Sequence, residues 1–476
     1  KNHTQRMSTE VAMMQNLGSN PRHTFESLLD EAKIKLKADP QNGLKHGEID
    51  KQAHRAMSMY DTLDANTRAI DSTLGNVMGG LRALMVASKL GGTTLTTFGD
   101  HASMKKVANM LGLSYTKSIL PEYMKQLKQG ATRDEALRFG LGINEMAGSM
   151  TRFGDADIVS SATKSGRFNA RMQAFAATTM KLSGLNAVTA GAKRALNLVH
   201  MNKLAEMTRK TDWKDLGADD LKILQGNGIS ERDWQLWQQL EPSKREDGTA
   251  VLTQNDFFNA PDDVIKQFLP LDKQDSANAI ADFRYKAAMK YQTHIFNEES
   301  VAIIEAGVRE RSIINLGEAG TIQGELGRTL FQFKGFPLAY MFRIGHRAFA
   351  QGDIKSRVTF LASLLAYQTL AGALIVQTQN LANGKNPEPV FTIDFFGKSL
   401  LKGGGLSFLG DIMSALSDPT GRSASDFISG PLLGQSMKLG MLLTGMGNNI
   451  IEGKESTRMM EVANTLKSNI PLQNLW

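Results

Sequence analysis

From Val358 to Gly384 no residue carries a charge, and Gln368 is the only strongly polar side chain in the apolar centre that runs from Phe360 to Val376. This run constrains the fold more than any other feature. An apolar helix of that length comes close to the roughly 20 residues that span a bilayer. In a water-soluble protein the same helix must be covered by a core or a partner, because a large exposed apolar surface favours aggregation. The residues ahead of it matter too. Leu326 to Gly352 holds no acid but carries Arg328, Lys334, Arg343 and Arg347 among Phe331, Phe333, Phe336, Tyr340, Phe342 and Phe349. A basic flank, an aromatic belt and then an apolar helix is the order of a membrane-inserting segment. Within 358–376 the candidate insertion residues are Phe360, Leu361, Leu364, Leu365, Leu370, Leu374, Ile375 and Val376. The competing reading is a helix buried in a large soluble core.

The remainder of the chain also predicts helix. Proline is scarce (12) while Gly (44) and Met (24) are abundant, and 476 residues exceed the roughly 250 to 300 that one core can serve. The expected fold class is all-α, an elongated multi-helix assembly of two or more helical regions with no substantial sheet. A hydrophobic share of 41%, a charged share of 22% and an aromatic share of 7% argue against both a disordered chain and a polytopic membrane protein. Glycine inside a helix costs about 1 kcal/mol relative to Ala, so close helix contact or a need to change shape should offset it. Gly184, Gly191, Gly430, Gly434, Gly440 and Gly445 are the candidate contact glycines.

Composition divides the chain into four stretches. Residues 1–72 are polar and helical, with apolar spacing in Phe25, Leu28, Leu29, Ala32 and Ile34 and again in Ala53, Met57, Tyr60 and Leu63. Residues 73–157 form a Gly-rich link followed by amphipathic helices broken at Pro121 and Gly130, with Thr132 and Glu135 at capping-box spacing. Residues 158–316 are helical, with Ser230 and Asp233 as a cap, a loop over Glu241 to Asn259, and a long helix from Ser276 to about Arg311. Residues 317–476 are apolar and Gly-rich. Lys1 starts the chain without an initiator Met or a charged-then-apolar leader, which predicts a piece of a longer protein and no signal peptide here.

Charge is concentrated in one place. The net +7 of the chain equals the charge of 158–205, where no acid accompanies Lys164, Arg167, Arg171, Lys181, Lys193, Arg194 and Lys203. With Arg328, Lys334, Arg343 and Arg347 they are the candidate contacts to an anion, either DNA or lipid. The competing reading pairs them with acids elsewhere in the fold.

Signs of catalysis are missing. There is no cysteine, which excludes disulfides, thiolate metal sites and a cysteine nucleophile. The eight histidines show no HExxH spacing, and neither a phosphate-cradling GxxxxGK[ST] loop nor a GxSxG elbow occurs. Glu145, in GLGINEMAGSM, is the one candidate acid for a transglycosylase, but Met146 stands where that motif commonly has Ser. The expectation is a non-enzymatic chain with no metal and no cofactor.

Three segments carry a resemblance: Gly166 to Val199 with the following DLGADDLKILQGNGISERDWQLWQ, Gly327 to Phe349, and the terminal NIPLQNLW. Together they resemble the very large internal virion (core or ejection) proteins of short-tailed bacteriophages, in loose patterns of apolar and basic positions. The resemblance implies a helical structural protein packed in the capsid near the portal, expelled before the DNA and reassembled as a conduit in the host envelope. It implies as partners further copies of itself, other internal virion proteins, the portal, genomic DNA and the host inner membrane. Members of the family commonly hold a peptidoglycan-cleaving domain elsewhere in the chain, and none is recognisable here. Two alternatives stay open: a soluble helical scaffold whose apolar C-terminal half is an intersubunit interface, and a peptidoglycan-degrading virion enzyme.

Overall fold

The computed structural model describes residues 2–39, 43–63, 72–90, 98–128, 130–141, 163–314, 320–330, 335–349, 353–382 and 384–403. Glu145, Lys334, Gly430, Gly434, Gly440 and Gly445 lie outside them. The described residues are all-α, with 19 helices and one two-stranded sheet. In chain order the helices are α1 (Asn2–Leu17), α2 (Pro21–Ala38), α3 (His46–Leu63), α4 (Ser72–Leu90), α5 (Phe98–Met110), α6 (Leu120–Lys128) and α7 (Gly130–Arg138). Next come α8 (Lys164–Leu182), α9 (Leu185–Lys210), α10 (Ala218–Gly226), α11 (Glu231–Gln239), α12 (Gln254–Phe258), α13 (Asp262–Lys266) and α14 (Ala277–Ala302). The last five are α15 (Val308–Ile314), α16 (Ile322–Leu330), α17 (Gly335–Phe349), α18 (Ile354–Ala382) and α19 (Ile393–Lys402). Strands β1 (Ser243–Lys244) and β2 (Ala250–Val251) pair antiparallel, Ser243 opposite Val251.

Local chemistry sets the ends of these elements. Ser230 and Asp233 form a reciprocal capping box that starts α11, each side chain bonded to the other's backbone N–H. Thr253 and Asp256 do the same for α12. The stretch predicted as a loop over Glu241 to Asn259 is therefore more ordered than expected. Gly248, at φ +83, lets the chain reverse between β1 and β2, and the helical turn of α12 follows at once. The predicted helix to Arg311 stops at Ala302, because Ile303 and Ile304 leave the helix to fill the core and Glu310 accepts the Gly307 N–H to begin α15.

The packing units cut across the four compositional stretches. One core gathers Trp234, Trp237, Phe257 and Tyr291 against Leu198, Met201 and Ile295. A second joins Met104, Ile119, Leu196, Ile303, Ile344, Phe360 and Leu364. A third is the α4–α8 contact, built from Ala83, Val86, Ala87, Ala176 and Met180. Helices α9 and α14 contribute to both of the first two cores, so they are the shared wall between them. Ser58 on α3 donates to the carbonyl of Ser312 on α15, which ties the N-terminal helices to the middle of the chain.

Candidate functional site

The eleven candidate anion contacts separate by geometry. Lys193 bridges Glu299 at 3.3 Å and Glu305 at 2.8 Å. Burial pulls its pKa down, but the two carboxylates outweigh this and leave it raised, so the ammonium is held charged inside the protein. The buried Arg194 donates to Gln126 at 3.0 Å, and Lys203 bonds Asp220 and the carbonyl of Leu111, both at 2.6 Å. Arg328 pairs with Glu325 at 3.3 Å, Arg347 with Glu298, and Arg343 donates to the Ser300 carbonyl at 2.9 Å beside Glu310. Five of these six tie separate elements together, while Arg328 pairs within its own helix. The partners of those five lie 17 or more residues off in sequence, which is why the acid-free segments look unpaired when read linearly.

The remaining four described candidates behave differently. Lys164, Arg167, Arg171 and Lys181 are exposed on α8, and their side chains form no ion pair or hydrogen bond with any described residue. Spacings of three, four and ten residues put them on one face of the helix. Its opposite face carries Ala176 and Met180 into the contact with α4, and Asn169 donates to Asn76 there at 3.3 Å. A Cβ on Gly80 would come within 2.5 Å of the Phe168 ring, so this glycine sets how closely α4 and α8 approach. Sequence reasoning did not single it out.

The predicted contact glycines have mixed fates. Gly191 is a real close contact, since a Cβ there would stand 3.2 Å from Leu127. Gly184 is not: it sits at φ +74 between α8 and α9 with nothing within 4 Å, so its role is the left-handed turn that only glycine takes cheaply. The closest approach in the described residues was missed. A Cβ on Gly372 would overlap the Ser399 carbonyl oxygen, and one on Gly403 the Gln368 carbonyl oxygen, so α18 and α19 meet backbone to backbone.

Comparison with protein-family models, curated proteins and solved structures returns no match. What the chain offers must therefore be read from its own surfaces.

The second such surface is the α18–α19 pair. Phe360, Leu364, Ile375 and Val376 are buried on one side of α18, facing the protein. Leu361, Leu370 (65% exposed) and Leu374 (63%) face outward, joined by Val358 and Leu381, and Leu365 lies at the boundary. Both sides of the helix are apolar, unlike a surface helix of a soluble protein, whose outer face is polar. Gln368 turns inward and exchanges hydrogen bonds with the Tyr340 hydroxyl at 2.8–2.9 Å, while the hydroxyl of Thr369 is satisfied within the helix by the Leu365 carbonyl. On the protein side Lys105 lies over the Tyr367 ring at 4.3 Å, and Lys106 lies over Phe360 at 4.6 Å while donating to Ser363 at 2.6 Å. Val390, Phe391 and Ile393 extend the exposed apolar surface around the turn into α19, where Phe396 and Leu401 continue it. That turn is fixed: Gln377 bonds both the N–H and the carbonyl of Glu388. The aromatic run VFTIDFF was the signal for these residues, and it went unused beside the longer apolar stretch.

Among the described residues no group of three or more His, Asp or Glu side chains could hold a metal. The chemistry these two surfaces can perform is contact: with anions along α8, and with an apolar phase or partner along α18 and α19.

Proposed function

We infer that this chain is a structural, non-enzymatic protein that engages a lipid bilayer through the α18–α19 pair, the role expected of an internal virion protein delivered into a host envelope. One observation carries the reading. Ile354–Leu381 is long and apolar enough to cross a membrane, yet only 28% of its apolar stretch is buried inside the protein. A core helix of a soluble protein would be mostly covered. At 29 residues α18 is about 43 Å long, more than the roughly 30 Å hydrocarbon layer. In this reading Leu361, Leu370 and Leu374 meet acyl chains, while the face with Phe360, Leu364, Ile375 and Val376 stays on protein. The virion interior before infection and the host envelope after it, with copies of itself and other internal proteins as partners, complete the proposal.

The soluble-scaffold alternative uses the same exposed face as a contact between subunits. Flotation of the purified chain with vesicles, beside its oligomeric state in detergent-free buffer, separates the two. Co-flotation supports the bilayer; a defined oligomer that stays at the bottom with every lipid composition removes it. For the enzymatic alternative, clearing of a peptidoglycan gel by the chain and its loss in Glu145→Gln is the requirement.

A further inference from the structure

The structure separates the basic residues into those used up inside the fold and those left over, and the leftovers are not scattered. Six of the ten described candidates are tied to carboxylates, an amide or carbonyls, as set out above, and the four that are not share one exposed face of one helix. That face of α8 extends over Lys164, Arg167, Arg171 and Lys181, about 26 Å at 1.5 Å per residue, with no described acid within ion-pairing distance. The helix cannot roll to hide the stripe. Its other side is fixed on α4 by the Gly80–Phe168 approach, the Asn169–Asn76 bond and the burial of Ala176 and Met180.

We propose that the outer face of α8 is a binding site for the phosphate backbone of nucleic acid, with Lys164, Arg167, Arg171 and Lys181 each meeting a phosphate. Two physical points favour this partner over a bilayer. An interfacial amphipathic helix binds by sinking its apolar face among acyl chains, and the apolar face of α8 is already committed to α4. Against lipid only headgroup attraction would be left, about 1 kcal/mol per cation near an anionic surface. A duplex instead carries one negative charge per roughly 1.7 Å of its axis, and a rigid row of cations can follow that line and release its counterions. The inference rests on α8 alone and stands whether or not α18 and α19 enter a membrane.

The test is fluorescence anisotropy of the full chain with a labelled duplex of arbitrary sequence, titrated at several salt concentrations. Four phosphate contacts predict a slope of log K against log salt of about −3.6, an affinity loss of about 150-fold between roughly 50 and 200 mM salt. The variant carrying Lys164→Gln, Arg167→Gln, Arg171→Gln and Lys181→Gln should lose this binding, and Arg171→Gln alone should reduce the slope by about 0.9. All four positions are exposed, so the helical circular dichroism and melting should match the parent. A control of equal net charge replaces the exposed Lys51, Lys214, Lys222 and Lys273 with Gln and should bind as the parent does. Equal losses in both variants would mean net charge and no site. An unchanged slope in the α8 variant overturns the proposal, and so does a variant that keeps DNA binding but loses binding to vesicles of phosphatidylglycerol and phosphatidylcholine.

Discussion

The core around Trp237 and the α18–α19 pair are both rich in apolar side chains, and they use them in opposite directions. In the first, Trp234, Trp237, Phe257 and Tyr291 point inward, and two polar ends are satisfied: the Trp234 indole N–H donates to the Thr211 carbonyl at 3.1 Å, and the Tyr291 hydroxyl donates to the Leu252 carbonyl. Capping boxes close the starts of α11 and α12 beside it. In the second, the strongly polar Gln368 is turned inward while Leu361, Leu370, Leu374, Phe391 and Phe396 are turned out. Apolar content therefore says little about stability by itself. The Trp237 region buries its apolar side chains, whereas the α18–α19 surface leaves Leu370, Leu374, Phe391 and Ile393 exposed.

The largest effect should come from the buried region. Trp237 is 2% exposed and its ring packs on Trp234, Phe257, Tyr291 and His294. Trp237→Ala should cost about 3–5 kcal/mol in urea unfolding, the usual loss for an aromatic removed from a close-packed core. A loss below about 1 kcal/mol would show that this cluster does not anchor the fold.

Acid comes next and acts on the same region. His200 and His294 stack edge to face at 5.1 Å between α9 and α14, and neither ring nitrogen of His294 has a hydrogen-bond partner. Burial pushes the His294 pKa down to about 4, against an opposing pull from Glu298 and a small further lowering by Arg347. Burial lowers that of His200 well below its ordinary value, with His294, Lys203 and Arg347 adding to it. Both rings are thus neutral in the folded chain. Stability is full above pH 6.5 and falls as pH drops from 6.5 towards 4, because the unfolded chain takes up protons that the folded one refuses. His294 alone should account for about 3 kcal/mol over that range. His294→Phe should flatten the acid limb of the unfolding midpoint. A midpoint that does not move between these pH values in the parent contradicts the burial of the pair.

What was readable in the sequence follows from how far apart the interacting residues lie. The Ser230–Asp233 cap and the apolar helix after Arg357 are local patterns: the cap stands where capping chemistry puts it, and the apolar run 358–376 lies inside a helix that extends four residues before it and six after. The all-α class follows from the same kind of signal summed over the chain. The basic residues needed more than that. Lys193 and Glu305, or Arg347 and Glu298, become partners only after α9, α14 and α17 have packed, so no window of sequence could show that these cations are spent. The same holds for Arg245, which clamps Glu122 and Glu135 at 2.9 Å from a turn that looked like plain loop. For glycine, the sequence showed an excess without showing which ones face a backbone. Gly184 proved to be a turn residue, and the tightest approach fell to Gly372 and Gly403.

A mid-sized effect should mark the join of the second region. Gly372→Ala forces its new methyl into the Ser399 carbonyl, and overpacking of this kind costs about 1–3 kcal/mol. Gly191→Ala meets only the end of the Leu127 side chain at 3.2 Å, which can move, and should cost less. Hydrogen exchange gives the sharper readout. Amides of α19 should exchange faster in Gly372→Ala while those of α11 and α14 stay protected; uniform acceleration would mean that the two regions unfold as one.

The smallest effect on stability should accompany the largest effect on function. Leu370 and Leu374 lie on the outward face of α18, so the Leu370→Gln, Leu374→Gln double variant removes little buried area and keeps good helix formers in place. Its unfolding free energy in water should change by under about 0.5 kcal/mol. Bilayer engagement should respond in the opposite way, because each leucine moved from water to hydrocarbon contributes about 1.5–3 kcal/mol while an unpaired glutamine amide moved there costs roughly 2–7 kcal/mol. Loss of vesicle flotation with an unchanged melt assigns the two leucines to an external apolar phase. If the double variant instead melts earlier, the leucines are covered by protein in solution and α18 belongs with the buried core. If it dissociates an oligomer without altering flotation, the outward face is a contact between subunits.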